Sequence, residues 1–194
     1  LTAPFLEDVR GPYGEVAPNV TLRPTADLAS DLVFAADPTT APFVTPIGSL
    51  TLRVVVHPTN PLTALTTAQV RALFTGQADW ASVSGPQSAL GPVSREPASA
   101  AVQQFNTRVL LGAAPSPTTL VAPSWEAMRA AVAQDAGALG YLPARWVDGS
   151  VRPLALGVDL RVLIVAAAPA EPTGVARDLL VWLQSPAGQA VMGR

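Results

Sequence analysis

The chain has 194 residues and a formal net charge of −2, from 12 basic and 14 acidic side chains, and every basic one is arginine. With no lysine, no cysteine and His57 as the single histidine, several chemistries are closed to it: Schiff bases, lysine phosphate loops, thiolate nucleophiles, disulfides, and zinc or iron–sulfur sites built on cysteine. A hydrophobic share of 49% against 13% charged describes a globular chain of one large domain or two lobes of about 100 residues each, and the lack of a basic block argues against nucleic acid as a partner.

Read in chain order, residues 1–10 can open a helix and Val20–Arg23 alternates like a short strand. The run Asp31–Asp37 (DLVFAAD) predicts a short buried strand ending in an acid at a turn. Residues 51–57 (TLRVVVH), β-branched and stopped by Pro58, predict a second. In Pro61–Gly76, Thr66 and Gln69 have capping-box spacing, Val70, Leu73 and Phe74 share one face, and Gly76 is placed for a left-handed stop. A second helix is expected from about Ser99, with Val102, Phe105 and Val109 on one face and Gly112 behind. A third runs from an N-cap at Ser124 through Met128 and Val132 towards Gly137, followed by a strand at 138–142. Leu160–Ala168 reads as a buried strand, 174–184 as a helix with Val175, Leu179 and Leu183 inward, and Ser185-Pro186 opens a last short helix. Alternating strands and helices predict an α/β fold with mainly parallel sheets. The longest uncharged runs, 54–70 and 109–125, are interrupted by Pro, Thr, Ser or Gly and fall short of the roughly 20 apolar residues a spanning helix needs.

No catalytic constellation stands out. There is no G-x-S-x-G elbow and no calcium-loop spacing. His57 is either a surface or turn residue or one half of a base–nucleophile pair that only the fold could assemble. Ser94-Arg95-Glu96 falls just before an expected helix start. The free N–H groups of that helix and the fork of Arg95 would suit an anion, with Ser99 as cap or ligand; a capped helix beside a surface arginine is the other reading. Asp37, at a strand end, is either a turn residue or a ligand.

Family pattern adds to these readings. The segment Val54–Trp80 resembles a signature of phosphate-binding proteins that serve ABC transporters, through Asn60-Pro61, Leu65-Thr66, Gln69-Val70, Leu73-Phe74-x-Gly76 and Trp80. Ser94-Arg95-Glu96 with Ser99 and Phe105, then Gly137–Pro143, then Trp182–Gln189 (WLQSPAGQ), resemble later family motifs in the same order, as Phe34–Asp37 resembles an earlier one. The resemblance covers about residues 31–192. It implies a two-lobed type 2 periplasmic-binding fold that closes on its ligand at a hinge, with residues 1–50 plus 151–194 in one lobe and 51–150 in the other. It further implies a monomeric, non-enzymatic, extracytoplasmic solute-binding protein, periplasmic or anchored as a lipoprotein, which needs no cofactor or metal. Phosphate or a related oxyanion would be held by Asp37, Arg95, Ser99, Ala100 and Ala101 and delivered to an ABC transporter permease. A carboxylate such as Asp37 accepts a hydrogen bond only from a protonated oxyanion, which hydrogen phosphate is and sulfate at neutral pH is not.

The family's Ser-Gly-Thr is here Ser99-Ala100-Ala101, its serine before the acid is Ala36, and its Gly/Ser-rich loop before residue 31 is replaced by Thr25–Ser30. These departures keep open an alternative, the same fold with a degenerate site serving as an interaction or structural module or binding another solute. The chain begins at Leu1 without an initiator methionine or signal peptide, as a processed product would.

Overall fold

The computed structural model describes residues 3–22, 32–36, 40–95 and 100–192. In chain order the elements are α1 (Ala3–Val16), β1 (Val33–Ala36), β2 (Phe43–Val56), β3 (Ala64–Leu65), α2 (Thr67–Phe74), β4 (Gly91–Arg95), α3 (Ala100–Phe105), β5 (Leu120–Ala122), α4 (Trp125–Gln134), β6 (Ala138–Pro143), β7 (Arg152–Pro153), β8 (Ala155–Leu156), β9 (Leu160–Ala168), α5 (Gly174–Gln184) and α6 (Pro186–Met192). It is an α/β architecture of sheet strands flanked by helices, and it divides into two compact units. One comprises Leu1–Leu50 and Val162–Arg194, the other Thr51–Arg161, and the chain passes between them within β2 and within β9.

In the second unit α2 forms as the sequence dictates. Thr66 Oγ1 accepts from the Gln69 N–H at 3.2 Å while Gln69 Oε1 accepts from the Thr66 N–H at 2.8 Å. Val70, Leu73 and Phe74 are fully buried, and Gly76 takes a φ of 74°. The other motif residues have equally local tasks. Asn60 Oδ1 accepts from the Leu62 N–H to close the Asn-Pro turn, and buried Trp80 donates Nε1–H to the Gly137 carbonyl at 2.8 Å.

The sheet of this unit runs β2-β6-β4-β5, with β7 on the other side of β2. Pairing is parallel between β4 and β6 and between β4 and β5, as it is in the separate β3–β8 pair. That is the parallel pattern expected where α3 and α4 return the chain to the same end. Strand β2 lies outside that β-α-β run, and it pairs antiparallel with β6 and β7.

The first unit packs β9 antiparallel to β1, with β2 next in order. Its core gathers Val9, Tyr13, Ile47, Ile164, Ala166, Leu179, Leu180, Trp182 and Leu183, with Tyr13 edge-on to Trp182. Three expectations need correcting here. Strand β2 starts at Phe43, not Thr51, and runs through Pro46. Proline is tolerated because β6 pairs only Leu52–Val56, so the edge of β2 at Pro46 needs no ladder donor. Residues 20–22 are not a strand; Val20 and Leu22 instead pack half-buried against the core, which explains their alternation without a ladder. Val175 is 52% exposed, because it lies in the first turn of α5, ahead of the buried strip Leu179–Leu183.

Helices α5 and α6 also finish the open edge of β2. Gln184 Nε2 donates to the Pro46 carbonyl at 3.0 Å, and Gln189 Nε2 donates to the carbonyls of Ile47 (2.6 Å) and Leu183 (2.7 Å). Such a tight corner between the helices demands glycine at 188, where a Cβ would stand 2.2 Å from the Trp182 carbonyl oxygen and 2.6 Å from Leu183 Cα. Gly188→Ala should therefore destabilise the protein by about 1–3 kcal/mol, read as a lower urea midpoint at unchanged m. An unchanged midpoint would mean that α6 is not packed this closely on α5.

Candidate anion-binding site

Strand β4 is the central strand of the parallel trio, and Arg95 is its last residue, in register with Ala122, the last residue of β5. The carboxyl ends of parallel strands are where α/β folds collect ligands, because the helices that follow start there. From Ala122 the chain turns through Pro123 and Ser124 into α4, with the Ser124 hydroxyl accepting from the Ala127 N–H at 3.0 Å. The guanidinium of Arg95 lies over the ring of Trp125, Cζ 4.5 Å from the centroid, and Nη2 donates to the Pro123 carbonyl at 3.1 Å.

A cation at a helix N-terminus opposes the macrodipole by roughly 0.3–1 kcal/mol. The π-face of Trp125 offsets that by a similar or larger amount, about 0.5–2 kcal/mol, and Glu126 adds negative charge in the same first turn. A guanidinium over an aromatic ring can still direct N–H bonds within its own plane, the direction in which an oxyanion is recognised.

Behind the arginine is a dry aromatic wall. Ser94, 6% exposed, places its hydroxyl 2.9 Å from that of Tyr141, which is fully buried. The Tyr141 ring stacks on Phe105 (3.9 Å, 11°) and meets Trp125 at 6.2 Å and Phe74 at 6.0 Å. Burial pushes the Tyr141 phenol above its usual value, partly countered by the bond with Ser94, a hydrogen bond with the Arg95 backbone and the charge of Arg95.

Of the residues expected to form the site, Arg95 is the last residue of β4. Ala100 is the first residue of α3, and the first N–H groups of a helix have no partner within it. Ala101 turns its methyl into the core, 5% exposed, so it offers backbone and no side-chain donor. Asp37 and Ser99 lie outside the described residues. Two partners of Arg95, Pro123 and Trp125, were not legible as site residues; the only signal for them is the parallel register of β4 and β5. His57 serves its own turn, its Nδ1 accepting from the Thr59 N–H at 3.2 Å and its carbonyl from the Asn60 N–H. Among the described residues no cluster of His, Asp or Glu is placed to hold a metal ion, and no helix is long and apolar enough to cross a membrane.

A family model described as a PBP superfamily domain matches residues 20–163. The chain belongs to the PBP superfamily. This PBP domain is similar to a solved structure described as a phosphate ABC transporter substrate-binding protein with bound phosphate from Clostridium perfringens, at 19% identity and a TM-score of 0.82 over 97% of this chain and 91% of that one. It is similar to an ABC-type phosphate transport receptor from Vibrio cholerae at 20% identity and a TM-score of 0.76, over 97% and 92% of the two chains. It is also similar to the regulatory domain of Synechocystis CcmR in complex with 2-PG, at 16% identity and a TM-score of 0.63, over 97% and 91%. At these identities the PBP domain shares the fold of such proteins. No curated protein matches its sequence.

The wall behind Arg95 can be tested without a ligand. Tyr141→Phe keeps the ring but takes the hydrogen-bond partner from a buried serine, which should cost about 1–3 kcal/mol of stability. Because the folded-state value of Tyr141 is raised, its contribution is complete below the ordinary tyrosine value of 10.0 and is lost as the pH rises from there through the folded value. Tyr13, raised by burial and then by the charge of Asp178, adds to the same alkaline loss. The variant should therefore lose stability less steeply than the native chain between pH 9 and 11, measured by urea melts; parallel slopes would contradict the burial of this phenol.

Proposed function

We propose that this chain is a solute-binding protein for phosphate or a related oxyanion, working outside the cytoplasm as a monomer and delivering its ligand to an ABC transporter permease. The observation that carries this reading is the placement of Arg95. It is a guanidinium laid on Trp125 at the carboxyl edge of parallel strands, where α4 begins and from which the chain runs on to α3. The fold it shares with phosphate-binding transport proteins supports the reading. So does the character of the matched structures, described as a substrate-binding protein, a transport receptor and a regulatory domain.

In this reading Arg95 supplies a charged bidentate fork, the N–H groups of Ala100 and Ala101, at the start of α3, supply backbone donors, and Ser99 is a further ligand. Asp37 accepts a hydrogen bond from the O–H of hydrogen phosphate and so turns sulfate away. The buried methyl of Ala101 favours a second reading, since it removes a hydroxyl donor that the family pattern has at this position. In that reading the same fold serves as an interaction or structural module, or binds another solute.

Thermal melting in millimolar phosphate, sulfate or molybdate, against buffer alone, separates the two. Ligand at 100 times its dissociation constant stabilises by about 2.7 kcal/mol, a rise in Tm of roughly 5–10 °C for a chain of this size. We expect that rise with phosphate, its loss in Arg95→Ala, and no rise with sulfate unless Asp37 is changed to Asn. No rise with any oxyanion would leave the second reading standing, and an equal rise with sulfate in the native chain would remove the role of Asp37.

A further inference from the structure

Resting on the oxyanion-binding reading, we propose that Trp125 is a positioning residue for anion recognition, a platform that fixes the plane in which Arg95 presents its N–H groups. The contacts around it close into a circuit. Arg95 lies over Trp125 at 4.5 Å, Trp125 meets Tyr141 edge-on at 6.2 Å, and the Tyr141 hydroxyl is 2.9 Å from Ser94, the residue bonded to Arg95. One arm of the circuit holds the backbone of the arginine and the other holds its head. The Pro123 carbonyl on Nη2 stops the guanidinium from turning in its own plane.

Trp125 is itself buried, 5% exposed and seated at the first position of α4, whose cap is made by Ser124. An unsupported arginine would have to give up rotamer freedom when it meets its ligand, whereas this one has lost it in advance. A planar fork held over an aromatic ring suits a ligand with two oxygens in one plane, such as a phosphate edge. A lysine ammonium gains nothing from being held this way.

The test uses the whole chain and isothermal titration with inorganic phosphate. Biosynthetic replacement of tryptophan by its mono-, di- and trifluorinated forms drains the π-face with little change in volume, so a purely structural role would not follow the series. We expect phosphate affinity to fall stepwise, by about two- to tenfold in all, the range of a cation–π contact. Trp125→Phe, which keeps a smaller ring, should weaken binding by about threefold and show no further dependence on fluorination, although Trp80, Trp146 and Trp182 still carry the label. Native protein that binds phosphate with an affinity indifferent to fluorination would overturn the platform and leave the functional reading intact. A series that persists undiminished in Trp125→Phe would overturn it too. Native protein that binds no phosphate at all would remove the functional reading, and the platform's purpose with it.

Discussion

Tyr141 occupies the point in the second unit where two strands and three helices meet. Its hydroxyl ties β6 to Ser94 on β4, its ring is stacked against Phe105 at the end of α3, and its edge faces Trp125 at the start of α4. Water is excluded there, so each polar group must find its partner inside the protein or cost stability. That requirement makes the arrangement specific. A wall of leucines would bury as much area but would not fix the rotation of β4 about its own axis, and it is that rotation which decides where Arg95 points. The dry hydroxyl pair and the half-buried guanidinium are thus consecutive consequences of one packing solution.

The arginine-only composition looks different once contacts are known. Among the described residues of the second unit, Arg95 gives an N–H group to the Pro123 carbonyl, Arg152 to the Leu62 carbonyl and Arg129 to the Asp148 carboxylate. Two of the three also lie over tryptophans, Arg95 over Trp125 and Arg129 over Trp146. A flat, weakly hydrated cation can stack and donate at once, while an ammonium group cannot. The absence of lysine therefore restricts the chemistry of this chain less than it first appears to, because arginine serves both as surface charge and as a planar structural part.

Local signals were legible in the sequence, and signals that join distant residues were not. The capping box at Thr66 and Gln69, the stop at Gly76, the cap at Ser124 and the limits of β9 follow from side chains a few positions apart. The start of β2 was hidden because Pro46 argues against a strand unless its edge is known to be covered by Gln184 and Gln189, about 140 residues away. Val175 misled because helical periodicity says which face points inward and nothing about how far along the helix the core extends. The candidate site was legible only as far as Arg95 and the start of α3. Its partners on α4 belong to a neighbouring strand connection, and only the pairing of Arg95 with Ala122 brings them into reach. The roles of Asp37 and Ser99 rest on family pattern and chemistry.

The two glutamines that finish the edge of β2 have a consequence for how the molecule is made. The unit formed by residues 51–161 is one continuous stretch, whereas the other is assembled from both ends of the chain. During synthesis from the amino terminus, the continuous unit has all its core residues before α5 and α6 exist. Until Gln184 and Gln189 have been translated, the carbonyls of Pro46 and Ile47 wait without their final donors, next to an unfinished apolar core. Such an exposed edge is where a nascent chain meets other chains or a chaperone. The vulnerable interval thus ends with Gln184 and Gln189, which close an edge laid down about 140 residues earlier.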